Sequence, residues 1–236
     1  MKKSVLNSFV QGIRDGIPIG LGYLSVSFTF GMMAVAGGMP IWVAVAISMT
    51  NLTSAGQFAG LSMMLSAASY LELALTQLVI NIRYSLMSLS LSQRIDPTIK
   101  IPARLGISFG ITDEVFAVAS TKKERVGKKY MAGLICIPYI GWALGTLLGA
   151  AAGAFLPPVA QSALGIAIYG MFLAIIVPAA KNSLPVFLVI LIAVFLSCSF
   201  KWIPVLSGVS EGFVIIISSV TAAGLGAIFF PKKEAE

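Results

Sequence analysis

The chain has 236 residues, of which 58% are apolar and only 11% charged, and its mean hydropathy is +0.95. A soluble domain carries roughly 25% charged residues to cover its surface, so composition excludes one. The net charge of +7 does not signal nucleic acid, because Lys2, Lys3, Arg14, Arg94, Lys100, Arg104, Lys122, Lys123, Lys128, Lys129, Lys232 and Lys233 sit at termini and connections, as in the cytoplasmic loops of membrane proteins.

A stretch of about 20 apolar residues spans a bilayer, and backbone polar groups in lipid find partners only within a helix or a closed barrel. The first predicted helix covers Ile17 to Ala36 and is closed by Gly37, Gly38 and Pro40. It lacks a cleavage site followed by a soluble domain, so it reads as a span, not a signal peptide. A second apolar stretch, 41–68, is interrupted by Asn51-Leu52-Thr53-Ser54-Ala55-Gly56-Gln57. A third, Tyr70 to Leu91, carries Glu72, Asn81 and Arg83. The polar loop 92–104 contains Asp96, Pro97 and Pro102, and the short apolar piece 105–120 holds Asp113 and Glu114.

After the basic segment 122–129 come spans near Tyr130–Gly153, Val159–Ala179, Leu184–Ser199 and Val205–Phe230. Pro157-Pro158, Lys181-Asn182 and Lys201 separate them. Charge places both termini and the 121–129 loop in the cytoplasm. The expected fold is therefore all-α: a polytopic transmembrane helical protein with six to eight crossings, in which 41–68 and 105–120 are broken spans or re-entrant segments. Residues 1–236 form one transmembrane domain, with a polar-site half at 1–120 and a scaffold half at 121–236. A register that sets Gly31 on Gly149 and Pro40 on Pro158 hints at an internal repeat, but among 23 glycines and 11 prolines two matches carry little weight.

Ionisable groups at the bilayer centre cost roughly 2.5–3.5 kcal/mol on insertion scales, so they mark pathways or buried pairs. Around Asn51, Ser54, Gly56 and Gln57, small residues either unwind the helix and expose backbone groups to a ligand or permit close helix packing. Arg83 lies about ten residues from either end of its span and cannot readily reach the interface. Glu72 is roughly 16 Å away along the helix, so Arg83 needs a carboxylate from elsewhere, whether as a pathway residue or as a pair that joins two helices. Asp113 and Glu114 repel one another and lose hydration in an apolar stretch. One of them can neutralise Arg83, while Thr112 or Asp113 can cap a helix that opens after Gly110. Glu211 reads as interfacial.

The chain has no histidine, which removes Ser-His and Cys-His triads, HExxH zinc sites and histidine relays. Cys136 and Cys198, both in apolar runs, suggest neither a disulfide nor a metal site. P-loop, Rossmann and Gly-x-Ser-x-Gly signatures are missing. The expectation is a protein that is not an enzyme and needs no cofactor or metal.

Three runs, Ser54-Ala55-Gly56-Gln57-Phe58, Asn81-Ile82-Arg83-Tyr84 and Thr112-Asp113-Glu114-Val115-Phe116-Ala117, follow in order after Gly12, Asp15, Pro18, Gly22-Tyr23 and Phe30-Gly31. Together they resemble the AzlC-type family of bacterial inner-membrane proteins. The resemblance implies a multi-pass permease that exports branched-chain amino acids with a small AzlD-type membrane partner. On this reading Asn51, Ser54, Gly56, Gln57, Asn81, Arg83, Thr112, Asp113 and Glu114 line a substrate or ion pathway. An uncoupled channel or facilitator for small solutes and a non-transporting subunit are the rivals.

Overall fold

The computed structural model describes residues 7–153, 155, 159, 170, 173 and 176–231. Its helices are α1 (Phe9–Ala36), α2 (Ile41–Thr50), α3 (Ser54–Leu65), α4 (Tyr70–Ser92), α5 (Ile101–Phe109), α6 (Asp113–Ser120), α7 (Lys128–Gly153), α8 (Leu184–Trp202) and α9 (Glu211–Phe229). Among the described residues no strand forms, and one isolated bridge joins Ile95 to Val126. The fold is that of an all-α membrane protein. α1, α7, α8 and α9 are long and apolar enough to cross a bilayer.

α1 begins two turns before the predicted Ile17. Ser8 caps it, its hydroxyl accepting the Gln11 N–H at 3.1 Å, and the charged residues that obscured this turn are accommodated: Asp15 accepts hydrogen bonds from Lys122 (2.7 Å), Tyr130 (2.7 Å) and Gln11 (2.8 Å). The helix stops where Gly38 turns to φ 88°, a left-handed backbone that glycine adopts without penalty, and Pro40 opens α2. The predicted span from Val205 shortens to Glu211–Phe229, because residues 203–209 form turns. The span expected near 159–179 lies largely outside the described residues. Both interrupted stretches are broken, as their polar residues suggest: α2 and α3 flank 51–53, and α5 and α6 flank 110–112.

The chain divides into two compact units, the first of residues 1–57 and 81–166, the second of 58–80 and 167–236. In the first, α1 and α7 run parallel in close contact. A β-carbon on Gly12 would lie 2.2 Å from the Tyr130 carbonyl oxygen, and one on Gly149 would lie 1.9 Å from that of Phe28. Backbones this close need glycine, the usual means of packing helices where lipid removes the hydrophobic drive to associate.

In the second unit α8 and α9 pack together. α8 buries none of its residues and is apolar from Leu184 to Leu196, as suits a membrane span. The Ser210 side chain makes no capping bond; instead the Gly212 N–H donates to buried Glu72 at 2.9 Å. Glu72 thus supplies α9 with a cap from another helix, satisfying one of its unpaired amides. Exposed Glu211 accepts from the Ser62 hydroxyl.

Candidate functional site

The first helix break is held open by buried polar groups. α2 ends at Asn51, whose backbone is extended (φ −137°, ψ 96°), and α3 begins at Ser54. Thr53 accepts the Gly56 N–H at 3.3 Å. Gln57 is 1% exposed; its amide donates to the Asn51 carbonyl, and its oxygen accepts from Ser48 at 3.2 Å. The Ser48 hydroxyl lies 2.7 Å from that of Thr146 on α7. This chain satisfies groups that a missing helical turn would leave orphaned.

The second break has the same plan. Gly110 ends α5, and a β-carbon there would meet Ile135 at 2.2 Å. Thr112 then caps α6, accepting the Val115 N–H at 3.3 Å. Asp113 and Glu114 occupy the first turn of α6, where the helix dipole favours negative charge. A threonine thus opens the helix after each break.

Arg83 forms an ion pair with Asp113. The guanidinium also donates to the Tyr84 hydroxyl at 3.2 Å and lies 4.8 Å from that ring's centroid. The paired side chains remain 41% and 40% exposed, so a ligand can reach both charges. Glu114 accepts from the Tyr23 hydroxyl, and the Tyr23 ring meets Trp142 edge-on, centroids 5.1 Å apart. Tyr23 also neighbours Thr112, and Tyr84 neighbours Thr53. Each break therefore has a tyrosine beside its capping threonine.

Between the breaks lies a pocket of about 190 Å³, lined by Thr50, Asn51 and Thr53 on one side, Ser108 and Ile111 on the other, and Asn81 and Tyr84 of α4. Among the residues singled out from sequence, Asn51 and Asn81 line it. Arg83 pairs with Asp113, and Thr112 and Glu114 meet at Tyr23. Ser54 stands at the start of α3, and Gly56 is buried behind Thr53. The Gln57 side chain bonds within the break and is not part of the pocket lining. Sequence reasoning missed Thr53, Tyr23 and Tyr84 as site residues. The tyrosines stood within the family-like runs, beside Gly22 and Arg83, and that adjacency was the available signal. Among the described residues no three His, Cys, Asp or Glu side chains gather as a metal site would require.

The AzlC protein family model matches residues 18–156, a stretch that contains both breaks, Arg83, α7 and most of α1. The chain is 31% identical to the inner membrane protein YgaZ of Escherichia coli K12 over 173 residues, which covers 70% of this chain and 71% of that protein. An uncharacterized membrane protein of Archaeoglobus fulgidus is 31% identical over 176 residues, 74% of this chain and 77% of the other. One from Helicobacter pylori 26695 is 28% identical over 156 residues, 63% and 67% of the two chains. No solved structure matches the chain. By the family match across the residues that build the site, and by relatives that are membrane proteins, this chain belongs to the AzlC family.

Proposed function

We propose that the chain is a secondary transporter that exports hydrophobic, branched-chain amino acids across the bacterial cytoplasmic membrane as a multi-pass protein. It works with a small AzlD-type membrane partner and catalyses no covalent chemistry. The observation that carries this reading is the half-exposed Arg83–Asp113 pair in the unit that holds a pocket between two capped helix breaks. A zwitterion needs an opposite charge for each end. Its carboxylate competes for Arg83 and for amides at the start of a half-helix, and its ammonium competes for Asp113 and for carbonyls freed at the breaks. Leu52, Phe109 and Ile111 supply apolar wall for an aliphatic side chain. At roughly 30 Å³ per water, the pocket has the volume of about six waters, the scale of a small solute.

Counterflow tests this. Purified chain in liposomes preloaded with unlabelled leucine, with and without the small partner, is expected to accumulate labelled leucine or valine saturably once the transporting assembly is complete. Flux proportional to concentration without saturation would identify a channel. Activity that appears only when the partner is added, and that survives loss of the Arg83–Asp113 pair, would make this chain a non-transporting subunit. No flux of any amino acid in either preparation would overturn the reading.

A further inference from the structure

In the first unit, α5 and α7 run side by side and leave a groove of about 400 Å³ on their outer face. Gly106 and Ile107 on α5 and Ile135, Cys136 and Tyr139 on α7 line it, and Lys128 stands at one end. Phe109 closes the other end against Tyr139, ring centroids 6.1 Å apart. A β-carbon on Gly106 would meet nothing within 4 Å, so the missing side chain leaves open space and serves no close helix contact.

We propose that this groove holds one acyl chain of an anionic phospholipid, with the lipid phosphate at Lys128. Its length fits: from Lys128 to Tyr139 is roughly 16 Å at helical rise, about half the ~30 Å hydrocarbon core, which is one leaflet. Its charge fits as well. Lys128 and Lys129 open α7, while Lys100 and Arg104 stand at the start of α5, so the basic residues gather at the end where a headgroup sits. Positive charge assigns that end to the cytoplasmic leaflet, whose surface is rich in anionic lipid. Its width favours a chain over a protein helix. A helix 10–12 Å across needs roughly three to five times the groove's volume over the same length.

The test uses the full-length protein in nanodiscs of equal phosphatidylglycerol and phosphatidylcholine, with retained lipids counted by native mass spectrometry. Wild type is expected to retain phosphatidylglycerol preferentially. Lys128→Gln should lower that retention about fivefold, corresponding to the ~1 kcal/mol that one basic residue contributes at an anionic surface. Gly106→Leu fills the groove and should lower retention of both lipids without lowering the unfolding temperature, which separates occlusion from misfolding. Equal retention of the two lipids by wild type, or unchanged retention in both variants, overturns the proposal. So does a spin label on Cys136, in a Cys198→Ser background, whose contacts become those of protein when the small membrane partner is added; that result gives the groove to a helix.

Discussion

Neutralising Arg83 and Asp113, singly and together, separates the structural contribution of their pair from its contribution to transport. Arg83→Gln leaves Asp113 without its counter-charge, Asp113→Asn does the reverse, and the double variant removes both charges while keeping polar side chains at both positions. Breaking a fully buried pair costs about 3–5 kcal/mol, whereas exposed pairs contribute about 0–1 kcal/mol. With side chains 41% and 40% exposed, each single variant should lose an intermediate amount, about 1–2 kcal/mol. The double variant should recover most of it, since no isolated charge remains. Equilibrium unfolding in mixed micelles, followed by far-ultraviolet circular dichroism, reads these differences, and the coupling between the two changes should be about 2–3 kcal/mol in magnitude. Leucine counterflow by the same three proteins should fall at least tenfold in all of them, including the double variant that is again stable. A double variant that recovers both stability and transport would refute the reasoning, because the pair would then only join α4 to α6.

The glycine contacts predict opposite signs for one chemical change. Gly149→Ala must relieve an approach of 1.9 Å to the Phe28 carbonyl and should destabilise by about 1–3 kcal/mol. Gly22→Ala meets nothing within 4 Å and should stabilise by up to ~1 kcal/mol through helix propensity, read by the same unfolding titration. Gln57→Ala strands the Asn51 carbonyl and leaves Ser48 only its Thr146 partner, so about 1–3 kcal/mol should be lost, with faster amide exchange at 51–57. Tyr23→Phe removes the donor to Glu114 and should change counterflow more than stability, since the ring still packs on Trp142. Asp96 lies in an exposed loop and is held below the usual aspartate range, first by the Thr98 N–H and then by the Thr98 hydroxyl. A lowered carboxyl supports the folded turn above the unfolded aspartate value, about 3.9, and loses that support as pH falls through its own lower value. Exchange of the Thr98 amide should therefore accelerate only under strong acid, and Asp96→Asn should remove that pH dependence.

How much of this was legible in the sequence depends on whether a residue's partner is implied by its own position. Hydropathy gave the long helices, because nothing else tolerates twenty apolar residues in a row. The breaks were legible too: Asn51–Gln57 and Gly110–Thr112 interrupt apolar runs with residues that compete for backbone hydrogen bonds. That Arg83 needs a carboxylate follows from its depth in a span, and Asp113 and Glu114 were the adjacent pair available. Their division of labour was not legible. Asp113 pairs with Arg83 and Glu114 with Tyr23 because successive residues on α6 point about 100° apart, toward different neighbours. Tyr23 entered only through the Gly22-Tyr23 run, since a tyrosine's ring hides its hydroxyl from any hydropathy argument. Gln57 went the other way, read toward a pathway although its amide is consumed by the break itself.

The start of α1 and the anchoring of α6 show the same limit at longer range. Arg14 and Asp15 argue locally against a membrane helix, yet Asp15 is met by Lys122 and Tyr130, more than a hundred positions along the chain. Lys122 follows directly on α6, an eight-residue helix too short to persist in isolation. α6 is held at its first turn by Arg83 and Tyr23 and just beyond its last by Asp15. Charges that read separately as a site and as a cytoplasmic loop therefore fix the two ends of one helix. Loosening the Asp15 end should shift the acids at the other, a coupling the sequence does not display because its two halves lie on α1 and α4. Asp15→Asn checks it: the folded protein should persist, since the amide oxygen still accepts from Tyr130 and its NH2 meets Gln11, whose own amide turns to present its oxygen, while leucine affinity weakens without any change at a pocket-lining residue. Unchanged affinity in that variant would mean that the two ends of α6 act independently.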